Sequence, residues 1–440
     1  TIYTICYTSG TTGQPKGAKI KQRGMCAMMT IFDDTGCHFE DETLLFYLPL
    51  AHIMERANVL HGLFRGGRLG CISGDVRSTL KSDIAILRPT FIIGVPRVWN
   101  LLRDGILNQL NQQTGMKKKL IDRALSVKRE NYYNDGSLSH WLYDKLVFNK
   151  VKQAFGGNLK FIVTGSAPLT KEVADDLKII LGVPIVEGYG MTETCAGLTI
   201  TNVNDLTNDS CGGVLTNARL KLVDVHEMNY HSKTKLGDDD SPTGEICLSG
   251  PLVFSGYFKN PEATNETIKN GWIHTGDIGR LMPGNHGLKI IDRKKEIFKL
   301  SQGEYIAPSK LENVYKNSHY VSQICIYGDS TRDKILAIVV VNKVTLLEFL
   351  KSKNKVADDA GITEVDAFID NKDKDVVDEI KRDFADWHKK SNLNPLERVD
   401  LMIMSKDEFA GDLLTPTMKM IRKKVQEHFQ VRIDEVYNSK

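Results

Sequence analysis

The sequence predicts an α/β protein with a large N-terminal domain of parallel α/β sheet, and two changes of pattern extend that prediction. Short apolar runs first alternate with longer polar segments of helical length, which is typical of parallel strands with crossover helices. From Gly212 to Ile291 short strand patterns are separated by turns, and after Asp292 charged helical patterns surround two strand-like runs. We therefore expect a parallel α/β part over 1–211, a small β-barrel-like subdomain over 212–292 and a small α+β C-terminal domain over 293–440.

Four apolar runs of the first region are predicted strands: Thr43 to Leu48, Phe91 to Val95, Leu159 to Val163 and Pro184 to Val186. Between them, Lys117 to Phe155 carries Lys, Arg, Tyr and Leu at helical spacing. Basic and aromatic residues together admit a nucleic-acid-binding helix. Because acidic residues are interspersed among them, we favour a solvated amphipathic helix.

The later regions have their own strand and helix patterns. Predicted strands of the β subdomain are Arg219 to Val223, Gly244 to Leu248 and Gly287 to Ile291. Predicted strands of the C-terminal region are Gln323 to Tyr327 and Leu336 to Val341. The charged tract Val365 to Lys390 is predicted to be one amphipathic helix, with apolar residues at Val376, Val377, Ile380 and Phe384.

The composition is that of an ordinary soluble globular protein, with 41% hydrophobic and 26% charged residues among 440. A net charge of +3 indicates no polyanionic partner, so we expect no nucleic-acid binding. The eight cysteines include no C-x-x-C pair, which argues against a compact cysteine-pair zinc site and fits a reducing compartment. No apolar stretch reaches the ~20 residues of a spanning helix, so membrane contact is expected to be peripheral or outside this chain.

The stretch Tyr7 to Gly17, YTSGTTGQPKG, predicts a loop that binds phosphate. Glycines such as Gly10 let backbone N–H groups converge on an anion, and Lys16 supplies a mobile positive charge. Four residues add hydroxyl donors: Thr8, Ser9, Thr11 and Thr12. A P-loop NTPase is disfavoured because Gly17 stands where G-x-x-x-x-G-K-[ST] requires Ser or Thr. The expected ligand is a nucleoside triphosphate, and a plain Gly/Thr turn is the alternative.

This loop follows the first residue so closely that almost nothing before it can build a sheet edge. Residue 1 is also Thr rather than Met. We therefore expect an N-terminal part of the protein to precede this sequence.

Five blocks stand in a fixed order: YTSGTTGQPKG, LPLAHIMER (Leu48 to Arg56), GYGMTE (Gly188 to Glu193), HTGD (His274 to Asp277) with IDRKKEIFKLSQGEY (Ile291 to Tyr305), and TPTMK (Thr415 to Lys419). Together they resemble the adenylate-forming, or AMP-binding, superfamily of acyl- and aryl-CoA ligases, luciferases and peptide-synthetase adenylation domains. Two of them, LPLAHIMER and DRKKEIFKLSQGEYIAP, are similar to the eukaryotic long-chain fatty acyl-CoA synthetases. The resemblance covers the whole chain, while the family's stretch before the phosphate loop is absent.

The resemblance implies a long-chain fatty acid:CoA ligase that forms AMP. A carboxylate would join the α-phosphate of ATP with release of pyrophosphate, and the acyl group would then pass to the thiol of coenzyme A. ATP, Mg²⁺ and coenzyme A are the implied cofactors and substrates, and neutralising the charge of two approaching anions is the main catalytic requirement. Two alternatives stay open: another carboxylate-adenylating CoA ligase, medium-chain or aryl, and a catalytically inactive nucleotide-binding relative.

The resemblance also implies roles in the N-terminal region. Thr192 would contact phosphate and Glu193 would bind Mg²⁺, with a helix-capping role as the alternative. Tyr189 would stack on adenine, and His52 would lie where the acyl and coenzyme A paths meet unless it is an ordinary core histidine. The small residues implied to lie beside the nucleotide, which a plain strand-to-helix turn would also use, are Gly165, Ser166, Ala167, Gly188 and Gly190.

Further along the chain, the resemblance places Asp277 on the ribose hydroxyls and Arg293 on ribose or phosphate. A buried acid such as Asp277 needs hydrogen-bond or charge partners. Lys295 would be the hinge about which a mobile C-terminal domain rotates. The alternative for the stretch from Asp292 to Glu296 is a solvated charged turn.

Lys419 is implied to touch the substrate carboxylate and the α-phosphate. Because Pro416 favours a first helical turn, the sequence predicts that the Lys419 ammonium extends from a helix start. By composition alone, Lys419 is one of many surface lysines.

Fatty acid, ATP and coenzyme A are therefore the expected small-molecule partners, and the sequence gives no oligomeric state. The resemblance and the reducing compartment together imply an intracellular, cytosol-facing enzyme, peripheral on the endoplasmic reticulum or another organelle membrane.

Overall fold

The computed structural model describes residues 1–8, 15–30, 35, 41–205, 210–233, 241–283, 287–415 and 418–438. The chain divides into two compact units. The N-terminal unit comprises Thr1–Thr275 and Gly279–Ile290, and the C-terminal unit comprises Gly276–Ile278 and Ile291–Lys440. The division into three domains at residues 211 and 292 stays a prediction.

The N-terminal unit begins with an antiparallel hairpin of β1 (Ile2–Thr8) and β2 (Lys16–Lys21), followed by α1 (Gln22–Met28). Thr8 pairs with Lys16, so the predicted phosphate-binding loop joins the two strands of this hairpin. The apolar run at the start of the chain, Ile2 to Tyr7, therefore belongs to a separate two-stranded sheet and not to the parallel sheet. Four predicted loop residues lie outside the described residues: Ser9, Gly10, Thr11 and Thr12.

A seven-stranded sheet forms the centre of this unit. Its strands are β3 (Thr43–Phe46), β4 (Arg68–Cys71), β5 (Phe91–Gly94), β6 (Phe161–Gly165), β7 (Ile185–Tyr189), β8 (Thr199–Ile200) and β9 (Gly213–Val214). The order is β4-β3-β5-β6-β7-β8-β9, parallel from β4 to β7 and antiparallel beyond. The prediction of a parallel α/β sheet is confirmed, with small shifts at the strand ends.

Both faces of the central parallel strands β5 and β6 are buried. On β5, Phe91 and Ile93 belong to one hydrophobic core and Ile92 belongs to the other, because successive side chains point to opposite faces. The ring of Phe91 stacks on that of Phe161, with 5.0 Å between centroids. Burial on both faces is why these strands appear in the sequence as continuous apolar runs.

The helices connecting these strands are α2 (Ile53–Phe64), α3 (Val76–Leu87), α4 (Pro96–Asn111), α5 (Gly115–Asp135), α6 (Trp141–Tyr143), α7 (Asn149–Ala154) and α8 (Lys171–Leu181). The region from Lys117 to Phe155 is thus helical as predicted, although Gly136 ends α5 at a φ of +75°. It is not wholly solvated. Lys128 on α5 is 1% exposed, and its ammonium donates a 2.6 Å hydrogen bond to Asp144.

A second, five-stranded sheet follows. Its elements are β10 (Arg219–Val223), β11 (Thr243–Ser249), α9 (Pro261–Thr267), β12 (Ile268–Lys269), β13 (Trp272–Leu281) and β14 (Leu288–Arg293). The strands are ordered β10-β11-β13-β12, and β14 pairs with β13. Among the described strands this path ends at β10 and β12, so the predicted β subdomain is an open sheet and not a closed barrel.

The C-terminal unit is an α+β structure, as predicted. Its elements are β15 (Phe298–Lys299), β16 (Tyr305–Ile306), α10 (Pro308–Tyr315), β17 (Val321–Tyr327), β18 (Ile335–Val341), α11 (Lys343–Ser352), α12 (Val365–Asp370), α13 (Lys374–Lys390), β19 (Val399–Ser405) and α14 (Arg422–Asn438). The three longer strands form the sheet β17-β18-β19. Every residue of β18 is buried, and alternate residues such as Ala337 and Ile338 pack into separate cores.

The prediction of one helix from Val365 to Lys390 is wrong, because the backbone between α12 and α13 leaves the helical conformation. Lys372 has a φ of +50°, and the carboxylate of Asp373 accepts hydrogen bonds from the N–H groups of Asp375 and Val376. A side-chain cap of this kind starts a new helix. The apolar face of α13 is buried as expected, at Val376, Ile380 and Phe384.

A buried carboxylate ties the start of α2 to the strand before it. Glu55 is 0% exposed, and its Oε1 accepts hydrogen bonds from the N–H groups of Tyr47 (2.8 Å) and Leu48 (3.4 Å). Asn58 donates a third hydrogen bond, to Oε2. Burial raises the pKa of Glu55 to about 7 in spite of these donors.

We expect Glu55 to make the stability of the protein depend on pH. Its pKa in the folded state lies above its ordinary value of 4.5, so the folded state holds the proton more tightly than the unfolded state does. The contribution is therefore present below about pH 4.5 and is lost as the pH rises towards 7, by about 3 kcal/mol at most. Urea denaturation at several pH values should show this loss in the parent protein and a flatter profile in Glu55→Gln.

The matched control is Glu262→Gln, since Glu262 is an exposed carboxylate in the first turn of α9. The control should keep the parent's pH profile. Equal pH dependence in the parent and Glu55→Gln would contradict the assignment.

Candidate active site

Lys16 and Glu193, which belong to separate predicted motifs, both contact Tyr257, a residue that no motif identified. The Lys16 Nζ lies 5.3 Å from the ring centroid of Tyr257, and the Tyr257 hydroxyl donates a 2.5 Å hydrogen bond to Glu193 Oε1. Glu193 and Tyr257 are buried. Burial and the Glu193 carboxylate raise the pKa of Tyr257, so the phenol keeps its proton and remains a donor to Glu193.

Backbone hydrogen bonds fix this arrangement. The N–H of Phe258 donates to the carbonyl of Gly17 in β2 (2.7 Å), and the N–H of Phe254 donates to the carbonyl of Glu193 (2.9 Å). The segment between these two phenylalanines therefore joins the hairpin to the turn that carries Glu193. Sequence reasoning missed Tyr257 because its role depends on this long-range pairing, which leaves no local pattern.

Thr192 and Glu193 belong to one 3₁₀ turn, Thr192–Thr194. The hydroxyl of Thr194 accepts a hydrogen bond from the N–H of Met191 and donates one to its carbonyl, both at 3.1 Å. The capping contact considered for Thr192 and Glu193 is thus made by Thr194. Gly190 precedes this turn, and a Cβ there would lie 1.8 Å from the carbonyl oxygen of Ala196, so a side chain does not fit.

The small residues of two separate motifs meet where β6 and β7 end. Gly165 pairs with Gly188, and a Cβ on Gly165 would lie 3.1 Å from the Gly188 carbonyl oxygen. Ser166 has a φ of +71°, which is uncommon for a residue other than glycine. Tyr189 is half-buried at the end of β7, where parallel pairing gives way to antiparallel pairing. Open α/β sheets bind ligands outside the carboxyl ends of their strands.

His52 lies next to these strand ends. Its Nδ1 accepts a hydrogen bond from the N–H of Met54 at the start of α2, and the hydroxyl of Ser166 lies 3.6 Å from the sulfur of Met54. The imidazole is half-buried, so it is neither fully enclosed in the core nor fully solvated. The motifs LPLAHIMER and GYGMTE and the small residues Gly165 and Ser166 therefore converge on one region of the N-terminal unit.

The C-terminal unit holds a chain of alternating charges. Asp277 is 8% exposed, and its carboxylate lies 3.4 Å from Arg293 Nε. Arg293 reaches Glu296 at 3.9 Å, and Glu296 reaches Arg422 at 3.3 Å. Asp277 thus has the charge partner that a buried acid needs.

Arg422 closes this chain of charges. Its guanidinium donates to both carboxylate oxygens of Glu312, at 2.5 and 3.0 Å, and to the carbonyl of Ile326. Arg422 is the first residue of α14, so this paired contact fixes the start of that helix against α10. Arg422 stands three residues after Lys419, and this closeness to a motif residue is the one signal in the sequence that could have drawn attention to it. Its partners could not be predicted, because they come from distant segments.

Lys419 lies in a tight turn and not at a helix start. The N–H of Thr415 donates to the Lys419 carbonyl (2.8 Å), the N–H of Lys419 donates to the Thr415 hydroxyl (3.0 Å), and Leu414 bridges to Met420. Met418 has a φ of +60°, which a helix does not admit. The prediction that Lys419 extends from a first helical turn is therefore wrong, and Pro416 lies outside the described residues.

The Lys419 ammonium is destabilised where it stands. Burial and the nearby charge of Arg293 together lower the pKa of Lys419 to about 8, although Asp277 and Glu296 act in the opposite direction. A lysine with this pKa gives up its proton more readily than an ordinary lysine does. An anion close to it would restore the ordinary preference for the charged form.

The stretch from Asp292 to Glu296 is only partly a solvated turn. Lys295 is exposed, but Asp292 is 3% exposed and accepts hydrogen bonds from the N–H and hydroxyl of Ser309 at 2.7 and 2.8 Å. Burial raises the pKa of Asp292 to about 6. Asp292 therefore anchors the first turn of α10, next to the exposed Lys295 that was predicted to be a hinge.

The fold and these strand-end motifs define a class of protein. Residues 1–258 match the family model described as AMP-binding enzyme, which is more than half of the chain. The chain belongs to this AMP-binding enzyme family.

Within that family the chain is similar to long-chain acyl-CoA synthetases. It is 39% identical over 439 residues to the peroxisomal long chain acyl-CoA synthetase 7 of Arabidopsis thaliana, covering 99% of this chain and 61% of that protein. It is also 39% identical over 446 residues to the human long-chain-fatty-acid–CoA ligase 1, covering 100% of this chain and 61% of that protein. The chain thus spans 61% of the length of these curated relatives.

Solved structures agree on the fold. The adenylation domain of the carboxylate reductase from Mycobacterium chelonae superposes with a TM-score of 0.76 at 28% identity, covering 99% of this chain and 60% of that one. The A-PCP didomain of a carboxylic acid reductase from Segniliparus rugosus, solved with AMP, superposes with a TM-score of 0.74 at 25% identity, covering 100% of this chain and 53% of that one.

We expect two substitutions around Lys419 to move its pKa in opposite directions. Asp277→Asn removes a negative neighbour and should lower the pKa of Lys419 below about 8, whereas Arg293→Gln removes a positive neighbour and should raise it. Each shift should be on the order of one unit. A pH titration of the Lys419 side-chain resonances by NMR, assigned with Lys419→Arg, measures both.

Asp400→Asn is the control, since Asp400 is a carboxylate of β19 that pairs with Arg398. It should leave the Lys419 titration unchanged. Shifts of the same sign in Asp277→Asn and Arg293→Gln would contradict the charge arrangement described above.

Proposed function

We propose that the protein activates long-chain fatty acids to acyl-CoA with ATP, through an acyl-adenylate and with release of pyrophosphate and AMP. The observation that carries the proposal is the similarity over 99–100% of the chain to proteins named as long-chain acyl-CoA synthetases or ligases. The intact charged residues of the motifs support it, because an inactive relative has no need to keep them.

In this proposal the N-terminal unit binds the nucleotide. Lys16 and the loop before it hold the phosphates, Thr192 contacts phosphate, and Tyr189 stacks on adenine between the small residues at the ends of β6 and β7. Glu193 fits the role of magnesium ligand, since its carboxylate is buried, is oriented by Tyr257 and lies near Lys16. Bound Mg²⁺ would neutralise charge on the phosphate oxygens.

The charged residues of the C-terminal unit have complementary roles. Asp277 accepts hydrogen bonds from the ribose hydroxyls, and Arg293 contacts ribose or phosphate. Lys419 acts on the carboxylate and the α-phosphate, where negative charge gathers during adenylation. Its lowered pKa supports this role, since burial and the charge of Arg293 disfavour the ammonium and an anion beside it would stabilise it. Lys295 is the proposed hinge of the C-terminal unit.

The experiment that tests the function measures pyrophosphate release and acyl-CoA formation with octanoate, palmitate, arachidate and benzoate in competition. Preference for palmitate or arachidate, with coenzyme A consumed, is the expected result. Preference for octanoate or benzoate would favour a medium-chain or aryl ligase. Nucleotide binding without pyrophosphate release would identify a catalytically inactive relative.

We also propose an intracellular location with peripheral contact to the endoplasmic reticulum or another organelle membrane. The helices within the described part of the chain include none with the length and apolar composition to cross a bilayer. Sedimentation with phospholipid vesicles, compared with fractionation of cells that express the tagged protein, tests the proposal. Recovery only outside the cell, or in no membrane fraction, would contradict it.

We expect the magnesium requirement to depend on Glu193 and on the tyrosine that orients it. Glu193→Gln removes the charge that binds Mg²⁺ and should abolish most adenylation while leaving fatty acid binding unchanged. Tyr257→Phe removes only the hydroxyl donor, so the Mg²⁺ concentration for half-maximal pyrophosphate release should rise by about 10-fold or more.

Tyr3→Phe is the matched control, because Tyr3 lies on β1, the strand paired with the one that carries Lys16, and is 45% exposed. It should leave the Mg²⁺ dependence unchanged. An unaltered Mg²⁺ dependence in both Glu193→Gln and Tyr257→Phe would rule out this metal site.

We expect Lys419 to serve one half-reaction. Lys419→Ala should slow acyl-adenylate formation by roughly 10²-fold or more, because it removes a charge that acts where the transition state gathers negative charge. Thioester formation from presynthesised acyl-adenylate and coenzyme A should stay close to the parent rate. Lys295→Pro should have the opposite effect, since it hinders rotation about the hinge and leaves adenylation intact.

The pH dependence of kcat/KM for ATP provides a further check on Lys419. Because the lysine must be protonated and its pKa is about 8, adenylation by the parent should fall as the pH rises through that value. Lys419→Arg should remove this fall, since a guanidinium stays charged. Equal losses of both half-reactions in Lys419→Ala would mean that the lysine has a structural role.

A further inference from the structure

Three side chains of different metal-binding type, none of which has been given a role above, meet on the five-stranded sheet. Glu245 and Cys247 lie on β11, and His274 lies on β13, the neighbouring strand. The His274 Nδ1 lies 3.4 Å from Cys247 Sγ and 3.3 Å from Glu245 Oε2. All three donor atoms lie within 4.8 Å of one another.

Strand geometry preorganises this cluster. Glu245 and Cys247 are two residues apart, so they share a face of β11, while Ile246 between them packs into the hydrophobic core on the opposite face. The pairing of β11 with β13 brings His274 beside them, and the Thr275 hydroxyl donates to the Ile246 carbonyl at 2.8 Å. The three donors are therefore held by paired strands and not by loops.

The spacing of the donors matches that of ligands around one zinc ion. Bonds of about 2.0–2.3 Å to N, O and S in a tetrahedral site separate the ligand atoms by about 3.3–3.6 Å. The two edges at His274 Nδ1, 3.4 and 3.3 Å, fall in this range, and Cys247 Sγ and the Glu245 carboxylate oxygen lie within 4.8 Å of each other. Hydrogen bonding explains the cluster less well, because Cys247 and Glu245 compete for the same nitrogen of His274, whereas a metal ion contacts all three groups at once.

The surroundings shield the thiol and leave the other ligands partly accessible. Cys247 is 0% exposed, and the side chains of His274 and Glu245 are 21% and 15% exposed. Lys221 pairs with Cys247 across β10 and β11, and its ammonium lies 4.4 Å from the ring centroid of Trp272. One side of the cluster is therefore open to solvent, as a site with three protein ligands and one water requires.

We propose that Glu245, Cys247 and His274 form a zinc-binding site. A carboxylate, a thiolate and an imidazole are the ligand types that zinc prefers, and a divalent ion balances the two negative charges that a thiolate and a carboxylate place together. The bound ion fastens β11 to β13. The site shares no residue with the proposed magnesium site at Glu193 and does not depend on the proposed ligase activity.

The test uses Co²⁺ as a spectroscopic probe of the chelator-treated protein, because a cobalt–thiolate bond gives a charge-transfer absorption that oxygen and nitrogen ligands do not. We expect this absorption to appear with one Co²⁺ per chain and to disappear when Zn²⁺ is added. Cys247→Ser should abolish it. Glu245→Gln should weaken Zn²⁺ binding, measured by competition, by about 10-fold to 100-fold or more, since even partners that only orient a ligand have effects of that size.

Cys71→Ser and His226→Gln are the controls, and both should keep the absorption. Cys71 is an exposed cysteine on β4, and His226 belongs to an exposed group with Asp224 and His231 that also could hold an ion but has no thiol. Far-UV circular dichroism monitors folding, and if Cys247→Ser fails to fold, the partly exposed Glu245→Gln and His274→Gln carry the test. Absence of the absorption in the parent, its persistence in Cys247→Ser, or Co²⁺ binding lost only in His226→Gln would overturn the proposal.

Discussion

The pairing of charges that are partly removed from water is the constraint on which the candidate site depends. In the C-terminal unit, Asp277, Arg293, Glu296, Arg422 and Glu312 alternate in sign along one chain of contacts. A buried charge without a partner is strongly destabilising, so each member fixes the position of the next. Lys419 stands beside this chain with a lowered pKa, because burial and the charge of Arg293 disfavour its ammonium more than Asp277 and Glu296 favour it.

The same constraint operates in the N-terminal unit with hydrogen bonds in place of ion pairs. Glu193 is oriented by the phenol of Tyr257, and Glu55 by the backbone N–H groups of Tyr47 and Leu48. These carboxylates differ in what their donors imply. Glu55 has its donors within the segment from Tyr47 to Asn58 and is a structural anchor. Glu193 instead accepts from a distant tyrosine, whose ring lies 5.3 Å from the Lys16 ammonium, and this arrangement is the basis of the magnesium site proposed above.

The sheets position these groups because strand ends and strand faces are fixed by register. The pairing of Gly165 with Gly188 brings together two motifs that are separated in sequence, and a Cβ on Gly165 would lie 3.1 Å from the Gly188 carbonyl oxygen, closer than an ordinary van der Waals contact. On the five-stranded sheet, alternation sends Ile246 into the core and leaves Glu245 and Cys247 on the other face beside His274. One strand thereby supplies both packing and a cluster of metal-binding type.

The sequence by itself determined the fold class and the fully buried strands such as β5 and β18, because two-sided burial produces apolar runs. It also singled out the motif residues, because the predicted phosphate chemistry requires particular residue types. It located Glu193, Asp277, Arg293 and Lys419 without revealing their neighbours. Only the tertiary structure decided that Tyr257 orients Glu193 and that Arg422 closes the charge chain, since these contacts join distant segments. It also decided that Lys419 lies in a turn and that Asp373 divides the predicted helix, because a local cap or a backbone φ overrides helical periodicity.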